Sequence, residues 1–275
     1  MSDPVTQFAD IIRAAADAKR PLNICGSGSK VFYGNPATGE ALDVTAYRGI
    51  IEYEPTELVI SARAGTPLAE IEAAMREQGQ MLGFEPPHFG GNATLGGCIA
   101  AGLSGPRRPY AGSARDFVLG VRILDGRFYV RLAGATPAVH SAAAKLGGET
   151  VTDGAAFWQG IRDQRHAFFT GDAPLWRLSL LSTKPELALS GTQLIEWGGA
   201  LRWLRSDEDT MSIRKAARSG DGHATRFRGV QTQDGEVRSG AFHSLPSAML
   251  KLHKLIKLAM DPAGILNPGR MYPEL

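Results

Sequence analysis

The chain is constrained most by one glycine-rich stretch, residues 86–112, which reads PPHFGGNATLGGCIAAGLSGPRRPYAG. Glycine lets main-chain N–H groups converge without a Cβ between them, and converging N–H groups form a concavity that binds anions. The stretch contains two adjacent bases, Arg107 and Arg108, no acidic residue, and neither helical nor strand periodicity. It therefore predicts an irregular loop that holds phosphate or pyrophosphate.

Composition excludes several other classes of protein. The 275 residues carry a formal net charge of +2 without a basic run, which argues against a nucleic-acid partner. Two cysteines, Cys25 and Cys98, cannot hold a four-cysteine cluster, and the six histidines show no metal-ligand spacing, so no metal is expected. No signal peptide is visible and no apolar run reaches the roughly 18 residues of a membrane span, so we expect a cytoplasmic protein with reduced thiols.

Periodicity predicts an α+β fold. Helices are expected over residues 4–18, 66–79 and 249–260, the second with Thr66 as its N-cap. The run LNIC at residues 22–25 predicts a strand, and this strand leads directly into a second glycine turn, CGSGS, at residues 25–29. Further strands are expected in residues 42–60 and in LWRLSLL, TQLIEW, ALRWLR and HATRFRGV.

Three segments resemble a known family. They are ARAGTPLAEIEAAMREQGQMLGFEPPHFG, then ATLGGCIAAGLSGPRRPYAGSARDFVLGVRILDG, and the C-terminal MDPAGILNPGRMYP. They are similar to the vanillyl-alcohol oxidase superfamily of FAD-linked oxidases, and within it to the FAD-binding subunits of glycolate-oxidising complexes. The resemblance implies a PCMH-type FAD-binding domain of two small α/β subdomains, followed by an α+β C-terminal domain.

The same resemblance implies that FAD is the cofactor and that the CGSGS and TLGG turns both bind its pyrophosphate. The implied cofactor-binding residues are Gly26, Ser27, Gly28, Ser29, Pro87, Gly90, Thr94, Leu95, Gly96, Gly97, Cys98, Ala101, Gly105, Arg107, Arg108, Tyr110, Gly112, Asp116, Val121 and Asn267.

One departure from the family follows Gly126. Family members continue with a long stretch that completes the flavin domain, whereas this sequence runs directly into FYVRLAG, which resembles the later domain. We therefore expect an incomplete FAD-binding domain over residues 1–126 and an α+β substrate-side domain over residues 127–275. The shortening puts autonomous flavin binding in question.

The implied function is that of a companion subunit. Oxidation of a 2-hydroxy acid needs a base or metal for the hydroxyl proton and a cation for the carboxylate, and no catalytic motif for these roles stands out. A catalytic flavoprotein subunit and an iron–sulfur subunit are therefore the implied partners, with a glycolate-type 2-hydroxy acid as substrate. The alternatives are a structural subunit that has weakened or lost flavin binding, and a stand-alone oxidase.

Several residues carry two interpretations. Cys98 is either a covalent flavin tether or, as we favour, a small buried residue below the loop. Arg107 and Arg108 either face the pyrophosphate or a partner, or are solvated charges. Asn267 is either a flavin neighbour, as the resemblance implies, or a turn former before proline. The lysine-rich helix near the C-terminus permits at most peripheral membrane contact.

Overall fold

The structure is a computed structural model that describes residues 4–118, 153–229, 232–233, 236–237 and 240–275. The chain divides into two units. Unit 1 comprises Met1–Cys25, Lys30–Asp43 and Phe168–Leu275, and unit 2 comprises Gly26–Ser29 and Val44–Ala167. The domain boundary predicted after Gly126 falls outside the described residues and stays a prediction.

Unit 1 begins with the helix and strand that the sequence predicted. Helix α1 spans Pro4–Asp17, and strand β1 (Leu22–Cys25) pairs in parallel with β2 (Glu40–Asp43). Glycine is required at the connection, because a Cβ at Gly39 would lie 2.5 Å from the carbonyl oxygen of Pro21 and φ is +97°. These contacts fix the strand that leads into the CGSGS turn.

Unit 2 packs short helices against a two-stranded sheet. Strands β3 (Ile50–Glu54) and β4 (Val59–Ala62) are antiparallel, and helices α2 (Leu68–Glu77), α3 (Leu95–Ala101), α4 (Arg108–Ala111) and α5 (Gly154–Arg162) follow. The apolar face of α2 enters the core, as its spacing predicted. The core residues are Ile60, Leu68, Ile71, Met75, Leu82, Phe84, Ala93, Leu95, Cys98 and Ala114.

Two local predictions in unit 2 were wrong. Thr66 does not cap α2: its hydroxyl accepts a hydrogen bond from the N–H of Gly49 and donates to the carbonyl of the same residue. The glycine-rich stretch is not wholly irregular, because α3 and α4 lie inside it. Thr94 accepts a hydrogen bond from the N–H of Gly97 and caps α3.

Unit 1 continues with a four-stranded antiparallel sheet in the order β6–β7–β5–β8. Its strands are β5 (Leu175–Ser179), β6 (Thr192–Glu196), β7 (Leu201–Arg205) and β8 (His223–Arg228). Helix α6 (Thr210–Ser219), which precedes β8, buries Ile213 and Ala217 against Trp176 and Leu178 of β5. The α+β class is thus confirmed, and one sheet face is covered by α6.

The C-terminal part of unit 1 adds a small strand pair and a helix. Strands β9 (Thr232–Gln233) and β10 (Glu236–Val237) are antiparallel, and helix α7 spans Ser247–Met260. No side chain of α7 is fully buried, and Leu252, Leu255 and Leu258 are about half exposed. Within the described residues, no helix has the length and apolar character that crossing a membrane requires.

Candidate functional site

The two glycine turns singled out by sequence lie against each other in unit 2. A Cβ at Gly26 would stand 2.5 Å from Oγ1 of Thr94, closer than real Cβ atoms come to another heavy atom. Gly26 directly follows Cys25, the last residue of β1, and Thr94 begins the TLGG turn. Glycine at position 26 therefore allows the CGSGS turn to touch the Thr94 side chain.

Three main-chain donors of the CGSGS turn have no acceptor within the described part of unit 2. Among the described residues of unit 2, none accepts a hydrogen bond from the N–H groups of Gly26, Ser27 or Gly28. Gly28 adopts φ +75°, the left-handed conformation in which successive N–H groups converge. Uncommitted N–H groups on a turn without bulky side chains fit a phosphate or pyrophosphate group. We call this turn, together with Thr94 and Gly97, the cradle.

The TLGG turn differs, because its N–H groups are already committed. Leu95 donates to the carbonyl of Thr66 at 2.9 Å, Gly96 to that of Ala64 at 2.8 Å, and Gly97 to Oγ1 of Thr94 at 3.3 Å. A Cβ at Gly96 would also stand 3.0 Å from the Cβ of Ala64. The TLGG turn thus provides a close-packed wall and a hydroxyl group, while the CGSGS turn provides the main-chain donors.

Cys98 lies in the core directly behind this wall. Its side chain is only 1% exposed and packs with Leu95, Ile71 and their neighbours. A covalent tether to a ligand would need the sulfur to reach the surface of the cradle. The burial of Cys98 therefore favours the interpretation as a small packing residue.

The second half of the glycine-rich stretch is organised around Glu85. Gly105 must be glycine, because a Cβ there would stand 1.9 Å from the carbonyl oxygen of Glu85 and φ is +69°. The N–H of Arg107 donates to Oε2 of Glu85 at 3.2 Å, and Nη1 of Arg107 lies 3.9 Å from Oε1. Burial raises the pKa of Glu85, and the charge of Arg107 partly offsets this rise. Arg107 is therefore committed to Glu85 at both its main chain and its side chain.

The remaining predicted residues of this region occupy varied settings. Tyr110 is 91% exposed, whereas Arg108, at the start of α4, is half-buried. Asp116 accepts hydrogen bonds from the N–H and hydroxyl groups of Ser113, and these bonds lower its pKa. Pro87 is buried, Ala101 and Ser29 are half-buried, and Gly90 and Gly112 have positive φ values. Val121 lies outside the described residues.

Asn267 lies in unit 1, where it fastens the C-terminal motif to β1. Its Oδ1 accepts a hydrogen bond from the N–H of Ile24 at 2.9 Å, and its own N–H donates to the carbonyl of Leu22 at 2.8 Å. Leu22 in turn donates to the carbonyl of Ile265. The ILNPGR motif thus runs along β1 and stabilises the strand that precedes the CGSGS turn.

Sequence reasoning missed Asn35, which organises the loop between β1 and β2. Asn35 is 3% exposed; its side chain donates to the carbonyls of Gly269 and Met271 and accepts from the N–H of Ala241. Arg270 donates to the main-chain carbonyls of Asn35 and Val31. An asparagine in a Gly-Asn-Pro run looks like an ordinary turn former, so these distant partners could not be inferred from the sequence.

A polar network surrounds the buried His88, and the sequence around it does not indicate its distant partners. Nε2 of His88 lies 3.0 Å from Oε1 of Glu72, and its main-chain N–H donates to Oδ1 of Asp163 at 3.0 Å. Burial alone would raise the pKa of Asp163, but hydrogen bonds from Arg162 and His88 lower it overall. This network anchors the start of the glycine-rich stretch to the end of α5. The part of the chain that the structure describes holds no cluster of His, Cys, Asp or Glu suited to a metal ion.

Comparison with known proteins identifies the class to which this fold and cradle belong. Residues 4–127 match the family model described as an FAD binding domain. The class is therefore that of flavoproteins with a PCMH-type FAD-binding domain, and the expectation of FAD as cofactor is confirmed.

A curated relative narrows the assignment. Glycolate oxidase subunit GlcE of Escherichia coli (strain K12) is 39% identical over 346 residues, covering 96% of this chain and 96% of the relative. The chain belongs to the family of glycolate oxidase subunit GlcE. Because the 346 aligned positions exceed the 275 residues of this chain, the relative contains positions without a counterpart here.

Solved structures resemble the chain more distantly. The flavoenzyme CrmK is 18% identical, with a TM-score of 0.33 over 48% of this chain and 27% of its own. Aclacinomycin oxidoreductase is 15% identical, with a TM-score of 0.35 over 82% of this chain and 56% of its own. The chain thus spans about a quarter to about half the length of these enzymes, and the family assignment rests on the sequence matches above.

Proposed function

We propose that this chain is the FAD-binding subunit of a complex that oxidises glycolate, a small 2-hydroxy acid, to glyoxylate. One observation carries the proposal: the uncommitted N–H groups of Gly26, Ser27 and Gly28 lie beside the Thr94 wall. When bound, FAD supplies the capacity to accept an electron pair and pass it on. The subunit name of the relative supports membership of a complex.

The cradle would hold the pyrophosphate of FAD. The N–H groups of the CGSGS turn would donate to the phosphate oxygens, with the hydroxyls of Ser27, Ser29 and Thr94 as further donors. Gly96 and Gly97 would allow the cofactor to approach the main chain closely. The other predicted contacts, from Pro87 to Asp116 and including Asn267, remain part of this proposal.

The substrate chemistry would lie chiefly with a partner. Pyrophosphate binding by glycines and hydroxyls supplies no base to take the proton of a substrate hydroxyl. We therefore assign this step to a catalytic flavoprotein subunit and expect an iron–sulfur subunit to carry electrons onward. A cytoplasmic location, with at most peripheral contact with the inner face of the membrane, is part of the same proposal.

A second candidate is a structural subunit that stabilises its partner without holding flavin. The relative's unmatched positions favour it, because the resemblance expects the missing stretch after Gly126 to complete the flavin domain. In this alternative the cradle would persist as an inherited feature of the fold. The two candidates predict different results when the cradle alone is changed.

Gly97→Leu in the assembled complex separates the two candidates. Gly97 is exposed, and its Cβ position lies 3.1 Å from Oγ1 of Thr94, so leucine would obstruct the cradle more than the core. If this chain is the FAD-binding subunit, Gly97→Leu should lose the FAD bound by this chain and should abolish glycolate oxidation by the complex. Gly160→Ala in α5 is the control, since its Cβ would lie an ordinary 3.8 Å from the nearest atom. Unchanged flavin content and activity in Gly97→Leu would instead favour the structural subunit.

A further inference from the structure

Helix α7 turns a continuous apolar face to the solvent. Because successive residues of an α-helix are about 100° apart, seven of its apolar side chains fall within one arc of about 140°. All seven residues are exposed, and they are Ala248, Met249, Leu252, Leu255, Ile256, Ala259 and Met260. A single exposed leucine is ordinary, but an apolar stripe along about three helical turns is typical of a surface that another molecule covers. We call this arc the outer face of α7.

Another side of α7 makes the contacts that hold the helix on unit 1. Nζ of Lys257 lies 2.8 Å from Oδ2 of Asp261 and donates a hydrogen bond to the carbonyl of Leu266. The imidazole of His253 meets the ring of Tyr272 edge-on, with 6.2 Å between the centroids. A surface helix ordinarily turns its apolar side inward and its polar side to water. Packing within unit 1 therefore does not explain why the outer face of α7 is apolar.

The charges along α7 indicate what kind of surface would cover this face. Residues 247–260 include three lysines and neither Asp nor Glu. Lys251 and Lys254 are exposed and follow the margin of the outer face beside Leu255. An ammonium group that is drawn out of water at the edge of an apolar contact needs a partner of opposite charge. The covering surface should therefore be apolar at its centre and acidic along one edge.

Two other occupants fit this pattern less well. A second copy of α7 would add further lysines at the contact and no carboxylate, since the helix contains none. A helix that lies in a lipid surface commonly carries Trp or Phe on its apolar side, whereas the outer face has no aromatic residue. Lys257, on the side opposite Lys251, is already held by Asp261. These features favour a protein partner over a second copy or a membrane.

We propose that the outer face of α7 binds an apolar groove, edged with Asp and Glu, on another subunit of the complex. The inference rests on the proposed function, which places this chain in a complex. Met249, Leu252 and Ile256 have the i, i+3, i+7 spacing with which a helix inserts anchors into such a groove. Lys251 and Lys254 pair with the acidic edge of the groove and set the orientation of the helix.

Photo-crosslinking in the assembled complex tests where the outer face lies. Leu252 is replaced by p-benzoylphenylalanine, and the complex is purified through a tag on this chain, irradiated and analysed by mass spectrometry. We expect a cross-link to another subunit, in a segment that combines Leu, Ile, Val or Met with Asp or Glu. The same photoreactive residue in place of Met211, which is 69% exposed on α6, should not give this cross-link. A cross-link from position 252 only to this chain or to a second copy, or none, would overturn the proposal.

Leu252→Glu measures how much the outer face contributes to assembly. The complex with Leu252→Glu should dissociate at a concentration about tenfold or more above that of the wild type, measured by mass photometry on dilution. Met211→Glu, the same kind of change on α6, should match the wild type. Should Leu252→Glu unfold in a thermal melt, Lys254→Glu should raise that concentration about twofold or more in its place. Wild-type dissociation by the folded variant would overturn the proposal.

The remaining outcomes separate this inference from the proposed function. If wild-type chain floats with phosphatidylglycerol vesicles and Leu252→Glu does not, the outer face binds a membrane and the proposal is wrong. A wild-type chain that purifies without any other subunit would contradict both the complex and this inference. A wild-type complex in which this chain holds no FAD would contradict the proposed function alone, and wild-type assembly by Leu252→Glu would contradict this inference alone.

Discussion

Two glycines of unit 2 are required for different reasons. At Gly26 the space for a Cβ is taken by the side chain of Thr94, whereas at Gly105 it is taken by the main-chain carbonyl of Glu85. A side chain is able to rotate away from a new methyl group, but a carbonyl moves only with its backbone. Substitution at Gly26 should therefore affect the cradle, and substitution at Gly105 should affect folding.

Gly105→Ala is expected to lower the free energy of unfolding by roughly 2–4 kcal/mol. The new methyl group would stand 1.9 Å from a carbonyl oxygen, in addition to the strain of φ +69°. Gly102→Ala is the matched control, because φ is +62° there but nothing lies within 4 Å. It should cost only about 1 kcal/mol. Urea unfolding measures both, and equal losses would show that the contact with Glu85 contributes nothing.

Asp163 should make the free energy of unfolding depend on pH in acidic solution. Its folded pKa is lowered from 3.8, so ionised Asp163 stabilises the fold above that value, and this stabilisation is lost as pH falls through the folded pKa. Asp163→Asn should cost about 1–3 kcal/mol at pH 7, with the difference from wild type shrinking below about pH 4. The exposed Asp172→Asn is the control. A difference that does not change between pH 7 and pH 3 in urea unfolding would contradict this assignment.

At the scale of elements, sequence periodicity correctly predicted the helices and strands whose apolar residues recur at regular spacing. Helix α1, strand β1 and the apolar face of α2 appear where the spacing of their residues placed them. Helix α3 could not be predicted in this way, because its glycines give a low helix propensity. The structure shows that α3 is held by its local Thr94 cap and by the carbonyl oxygens of Ala64 and Thr66, and these two acceptors lie far from α3 in the sequence.

At the candidate site, too, local sequence patterns predicted some features, while contacts between distant residues determined others. The sequence identified both glycine turns, since glycine spacing is a local signal. It could not show that, within the described part of unit 2, the N–H groups of Gly26, Ser27 and Gly28 lack an acceptor whereas those of Leu95, Gly96 and Gly97 have one. It also predicted α7 as an amphipathic helix without indicating that Leu255 is 56% exposed in the described structure. Local composition thus located the cradle, and tertiary hydrogen bonds determined which of its atoms can act.

The pairing of the C-terminal motif with β1 leads to a prediction about one amide. Oδ1 of Asn267 accepts the N–H of Ile24, so Asn267→Ala should speed hydrogen exchange at Ile24 by about tenfold or more. The N–H of Leu22 donates to Ile265 instead and should change less, which provides an internal control. Amide exchange followed by NMR measures both. Unchanged exchange at Ile24 would show that the side chain of Asn267 does not hold the strand.

At the scale of the whole molecule, chain length bears on how firmly flavin is held. The alignment with the relative spans 346 positions against 275 residues here, and the resemblance places the missing stretch after Gly126. We expect FAD to leave this chain more readily than the Escherichia coli relative during repeated gel filtration. Inserting the relative's stretch after Gly126 should restore retention. Equal retention by this chain and the relative would show that the stretch does not contribute to FAD binding.

The central claim, that the CGSGS turn and Thr94 hold FAD, is tested most directly by counting flavin. FAD released by acid from the purified complex is measured per copy of this chain for the wild type, Gly26→Ala and Gly160→Ala. Gly26→Ala adds a methyl group 2.5 Å from Oγ1 of Thr94, whereas the methyl group of Gly160→Ala meets nothing closer than 3.8 Å. We predict that the wild type and Gly160→Ala retain the FAD of this chain and that folded Gly26→Ala loses it. Wild-type FAD content in Gly26→Ala, or a wild-type chain without FAD in its complex, would contradict the account.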